Sequence, residues 1–105
     1  MKKILLDLDN TLIETARFRL TSESEKLWKE LKEEKGVKLI GFTSRPRFLR
    51  NITLWQLKSL GIELDELIMG KPRANAYIGN RVINFDCRTG DADKAMIEVR
   101  RLLNV

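Results

Sequence analysis

Residues 2–14 read KKILLDLDNTLIE, and the fold turns on this stretch. Ile4, Leu5 and Leu6 form an apolar run that stops at two carboxylates, Asp7 and Asp9, one leucine apart. Alternate residues of a β-strand point to the same side, so Asp7 and Asp9 are expected to lie together where a core meets solvent. Like charges that close repel, and each raises the other's pKa unless a cation sits between them. The plainer reading is a polar turn at Asp9 and Asn10 with Asp7 solvated.

Outward from that strand, taken as Lys3 to Leu8, short apolar runs alternate with helical stripes. A helix is predicted from about Ser22 to Lys35, with Ser22 and Glu25 as a capping box, Leu27, Trp28 and Leu31 on one face and Gly36 as the stop. Val37 to Phe42 reads as a second buried strand. A second helix runs from about Pro46 to Leu60, with proline in its first turn and Gly61 past its end. Leu67–Met69, Ala76–Ile78 and Val82–Phe85 are further strand candidates. Ala92, Ala95, Met96, Val99, Leu102 and Leu103 share one stripe of a final helix, Ala92–Leu103. Strands alternating with helices predict an α/β fold, a three-layer Rossmann-like parallel sheet with helices on both faces.

The totals narrow the chemistry. At 105 residues the chain is expected to form a single domain over 1–105. It contains no histidine and one cysteine, Cys87. Ser-His-Asp and Cys-His nucleophiles and His- or Cys-built zinc sites are thereby excluded. Any metal must be held by oxygen, which favours Mg²⁺. A lone cysteine, the lack of a long apolar run and a start unlike a secretory signal predict a cytoplasmic protein with no membrane partner. Twenty Lys and Arg against 15 Asp and Glu leave a net charge of +5, which favours anionic partners.

In a parallel sheet, ligands bind outside the carboxyl ends of the strands. The predicted strands end at DLDNT, at GFTSRP with Thr43 and Ser44, ahead of GKP with Lys71, and at YIGN with Gly79 and Asn80. Two carboxylates, two hydroxyls and an ammonium are expected to gather there beside a helix start, a setting suited to phosphate. Taken singly, Ser44 is an N-cap and Lys71 a surface lysine; their coincidence at successive strand ends is what carries the argument.

In that order, DLDNT, FTSRP and GKP resemble the haloacid dehalogenase (HAD) superfamily, whose signature is DxDx[TV], then Ser or Thr, then Lys. The resemblance spans nearly the whole chain. The run LWQLKSLGIELDELIMGKPRANAYIGNRVINF is similar to small HAD phosphatases of the capsule-biosynthesis and polynucleotide-end type. The resemblance implies a HAD-like fold without a cap domain and a Mg²⁺-dependent phosphomonoester hydrolase. Asp7 would be the nucleophile that becomes an aspartyl-phosphate. Asp9 would be the general acid and base, its backbone carbonyl binding Mg²⁺ with the Asp7 carboxylate. Thr11 would brace the loop, Ser44, with Thr43 as second choice, would bond the phosphate beside Arg45, and Lys71 would neutralise its charge.

The fourth motif departs from the pattern: relatives read YIDD where this chain has YIGN. Asn80 or waters could complete the metal shell. Asp86 or Asp91 could substitute, although a strand-end role and an N-cap role are the plainer readings of those two. The third outcome is a module that binds a phosphorylated ligand or nucleic acid without turnover. Short connections predict an open site, accessible to a phosphorylated small molecule, a nucleotide or a polynucleotide end. Arg45, Arg47, Arg50, Arg73 and Arg81 are candidate backbone contacts and equally a solvated face. Trp28 and Trp55 fall on apolar stripes and are expected in the core, leaving no aromatic stacking platform.

Overall fold

The computed structural model describes residues 2–72, 74, 76 and 79–104. The chain runs β1 (Lys2–Asp7), α1 (Ser22–Glu33), β2 (Val37–Phe42), a 3₁₀ turn (Arg47–Leu49), α2 (Arg50–Ser59), β3 (Glu66–Ile68) and α3 (Ala92–Leu103). The strands form one parallel sheet in the order β1-β2-β3. β1 pairs with β2 from Lys2↔Val37 to Asp7↔Phe42, and β2 pairs with β3 from Ile40↔Glu66 to Phe42↔Ile68. A helix occupies each crossover, as parallel neighbours require. The protein is therefore an α/β fold, and β1 and β2 end level with each other at Asp7 and Phe42.

Register assigns the faces. Leu6, Leu39 and Leu67 lie on one side, and these are the strand residues of the main apolar cluster. Leu27, Trp28 and Leu31 of α1, Leu57 of α2, and Ala92, Ala95, Met96 and Val99 of α3 join the same cluster. On the other side Ile40 of the central strand is buried, while Leu5 is 52% and Ile68 47% exposed. α1, α2 and α3 thus all contribute apolar side chains to one cluster with Leu6, Leu39 and Leu67.

Several boundaries differ from the sequence expectation. α1 is capped by Thr21, not Ser22: the Thr21 hydroxyl accepts from Ser24 N at 3.1 Å, and the helix ends at Glu33. Pro46 has extended backbone (φ −61°, ψ 151°), so winding begins after it as a 3₁₀ turn and becomes α-helical at Arg50. β3 starts one residue earlier than predicted, at Glu66. Val82–Phe85 is not a strand; Ile83 and Phe85 pack against the core from chain with no strand pairing among the described residues, so their burial accounts for the strand-like pattern. The candidate strand Ala76–Ile78 includes Tyr77 and Ile78, and Arg73 precedes it; these three lie outside the described residues. Trp28 is buried as expected, but Trp55 is 67% exposed, because α2 turns Thr53 and Leu57 inward instead.

Candidate active site

The site grows from the turn that ends β1. Leu8 carbonyl oxygen accepts from the amides of Thr11, Leu12 and Ile13, closing the chain on itself. Asn10 supplies the left-handed residue (φ 59°) that this turn needs, a conformation asparagine tolerates better than most. Leu8, Leu12 and Ile13 are buried and anchor the turn from below. Asp7 and Asp9, on either side of Leu8, are left at the carboxyl edge of the sheet.

Two further loops converge on them. Beyond β2 and β3 the backbone continues to zip: Thr43 N donates to Ile68 O (3.0 Å), Gly70 N to Arg45 O (2.9 Å) and Lys71 N to Thr43 O (2.9 Å). Gly70, at φ 75°, makes the turn that brings Lys71 back over the sheet. Lys71 Nζ then lies 3.3 Å from Asp7 Oδ2 and 4.3 Å from the centre of the Phe42 ring. Thr11 Oγ1 donates to the same Asp7 oxygen at 3.3 Å.

Asp9 is held more tightly. Arg45 forks onto it, Nη2 to Oδ1 at 2.7 Å and Nε to Oδ2 at 3.2 Å. Thr43 Oγ1 donates to Oδ2 at 3.0 Å and Thr15 Oγ1 to Oδ1 at 3.1 Å. Partial burial by itself raises the Asp9 carboxyl. The Arg45 guanidinium and the Thr43 and Thr15 hydroxyls outweigh burial and hold the group below its ordinary value. The remaining Arg45 nitrogen, Nη1, donates to Gln56 Oε1 at 2.7 Å and to Thr53 Oγ1 at 3.3 Å, which fastens the fork to α2.

Asp7, Asp9, Thr11, Thr43, Arg45 and Lys71 are thus brought together. Thr43 is fully buried with its hydroxyl on Asp9, whereas half-buried Ser44 opens the bend toward Pro46. Asn80 is exposed, and no hydrogen bond among the described residues joins it to Asp7 or Asp9. Asp86 is committed to the Arg88 amide (2.8 Å) and Asp91 caps α3 through Lys94 N (3.1 Å). Thr15, Thr53 and Gln56 were not singled out from sequence. Thr53 did leave a trace there, a hydroxyl on the α2 stripe between Leu49 and Leu57.

Among the described residues no group of three or more His, Cys, Asp or Glu converges as a metal cage. The Asp9 carboxylate is filled by its four donors. Asp7 Oδ2 carries Lys71 and Thr11; among the described residues Asp7 Oδ1 and the Asp9 backbone carbonyl, which accepts no backbone hydrogen bond, remain available. Mg²⁺ keeps several waters and takes one or two carboxylates with substrate phosphate, so this half-shell fits a hydrated Mg²⁺.

The fold and site define an α/β protein with two carboxylates and two cations at one sheet edge. No family model matches the sequence, and no curated protein matches it. In three dimensions it is similar to an MCSG target from Vibrio cholerae solved by crystallography, with a TM-score of 0.64 and 20% identity over 97% of this chain and 99% of that one. That likeness concerns the fold alone. Among the described residues no helix is long and apolar enough to cross a membrane.

Proposed function

We propose that the chain is a phosphomonoester hydrolase of the HAD type, built on a three-layer HAD-like core without a cap and working in the cytoplasm. The observation that carries this reading is the placement of Asp7 beside Lys71, with Asp9 beside Arg45, at the carboxyl ends of adjacent parallel strands. A phosphate monoester is an anion, and Asp7 can attack it only where cations screen the approach. Lys71 provides one such charge on the nucleophile's own oxygen. Mg²⁺, when bound by the Asp7 carboxylate and the Asp9 carbonyl, would supply the other.

The phosphoryl group passes from the ester oxygen to an Asp7 oxygen, and the leaving alkoxide takes the proton of Asp9, which enters this step as the carboxylic acid. Water then attacks phosphorus, releasing phosphate and restoring the Asp7 carboxylate. Asp9, left ionised by the first step, takes one proton of that water and is restored to the acid. Both proton transfers require the Arg45 fork to open, because its two nitrogens, Thr43 and Thr15 occupy the Asp9 oxygens when it is closed. Thr11 and Thr43 fix the two carboxylates, and Thr43 links Asp9 to β2.

A second reading, a module that binds a phosphorylated ligand or nucleic acid without turnover, is favoured by that same fork and by the exposed position of Asn80. The two separate in one assay. Purified protein with Mg²⁺ and an aryl phosphate is expected to release phosphate, and Asp7→Asn to abolish the release. Turnover no higher than that of the variant, at every Mg²⁺ concentration, would leave the binding module standing.

A further inference from the structure

The outer side of the 3₁₀ turn and α2 is not what the sequence led us to expect. Phe48 is 83%, Ile52 51% and Trp55 67% exposed. Spacings of four and three residues set these side chains along one side of the winding, while Thr53 and Leu57 face the core. The same segment is one-signed: from Gly41 to Ile62 it holds Arg45, Arg47, Arg50 and Lys58 and no Asp or Glu. It also begins at the site, since Arg45 grips Asp9 and Phe48 follows three residues later.

Exposed aromatic faces among cations suit a chain of stacked bases carried on phosphates. A second copy of this chain suits them poorly. A two-fold dimer would set the same basic, acid-free segment against itself, like charge facing like.

We propose that the outer side of residues 47–59 binds single-stranded nucleic acid, with Phe48 and Trp55 stacking on bases and Arg47 and Lys58 facing phosphates. A strand lying there would present its terminal phosphate at Asp7; this last step rests on the phosphatase reading, whereas the stacking surface does not.

The probe is a fluorescein-labelled oligothymidylate of about 12 nucleotides without terminal phosphates, titrated with the full chain. Saturable anisotropy and quenching of the exposed Trp55 are expected. Phe48→Ala and Trp55→Ala should each weaken binding about tenfold, and Trp55→Phe, which keeps a ring, should bind nearly as tightly as the parent. Arg47→Gln should reduce the slope of log affinity against log salt by about 0.7. The proposal is overturned if both alanine variants bind like the parent or if a duplex of the same length binds equally well. It is equally overturned if those variants abolish a dimer seen in sedimentation while the oligonucleotide is not bound. Aryl phosphate hydrolysis on the same preparations keeps the two ideas apart. Strand binding without hydrolysis sinks the phosphatase reading alone, and hydrolysis without strand binding sinks this one alone.

Discussion

Asp9 shows how one side chain can be read correctly for place and incompletely for state. β1 ends at Asp7, one residue short of the expected strand, so Asp9 sits in the turn beyond it, and its four donors come from Thr15, Thr43 and Arg45, up to 36 residues away. With Asp9 and Arg45 only 27% and 19% exposed, the pair is sheltered enough to matter. Arg45→Met leaves an unpaired carboxylate and is expected to cost about 2 kcal/mol at neutral pH in a denaturant melt. The sign with pH follows from the depressed Asp9 value. The pair's contribution is complete above the ordinary carboxylate value of 3.8 and is lost as pH falls through the lower folded-state value. Parent and variant stabilities should therefore converge in acid; a gap that persists there would show that the loss at neutral pH is one of packing.

At the scale of elements, the loops after β2 and β3 act as one unit, laced by Gly70 N to Arg45 O and Lys71 N to Thr43 O. Lys71 reaches Asp7 only because Gly70 turns left-handed. A Cβ at Gly70 would meet nothing within 4 Å, so the strain of Gly70→Ala is purely backbone. It should cost about 1 kcal/mol by denaturant melt, and if the proposed phosphatase activity holds, turnover should fall with it as Lys71 is displaced. An unchanged melt would mean that the turn accommodates a side chain without moving Lys71. α1, β2 and α3 were readable from sequence because a periodic apolar face and a polar terminator act locally. The caps slipped by a residue because Thr21 and Ser22 are both competent. The choice fell to Thr21, whose hydroxyl also donates to Cys87 O at 2.6 Å, a partner 66 residues away.

At the scale of the whole molecule, the proposed Mg²⁺ site would lack a fourth-motif carboxylate, because Asn80 stands exposed on the segment that joins β3 to α3. If the missing carboxylate limits Mg²⁺ affinity, Asn80→Asp or Gly79→Asp should lower the half-saturating Mg²⁺ concentration by about tenfold. Identical Mg²⁺ curves for both variants and the parent would rule that out. Surface ion pairs such as Lys26–Asp93 do little for the global fold, which rests on the single cluster linking Leu6, Leu39 and Leu67 to the three helices.

By itself the sequence determined the strand-helix alternation, the parallel β1-β2 start and the placement of Asp7, Asp9, Thr43 and Lys71 at strand ends. Each of these follows from period and spacing along a few neighbouring residues. Tertiary structure alone decided that Arg45 turns inward to Asp9 instead of outward, that Trp55 and Phe48 stay in solvent, and that α1, α2 and α3 feed one apolar cluster. These outcomes depend on which of several adequate apolar or charged partners is nearest once the chain has closed, and distance in space cannot be read from distance in sequence.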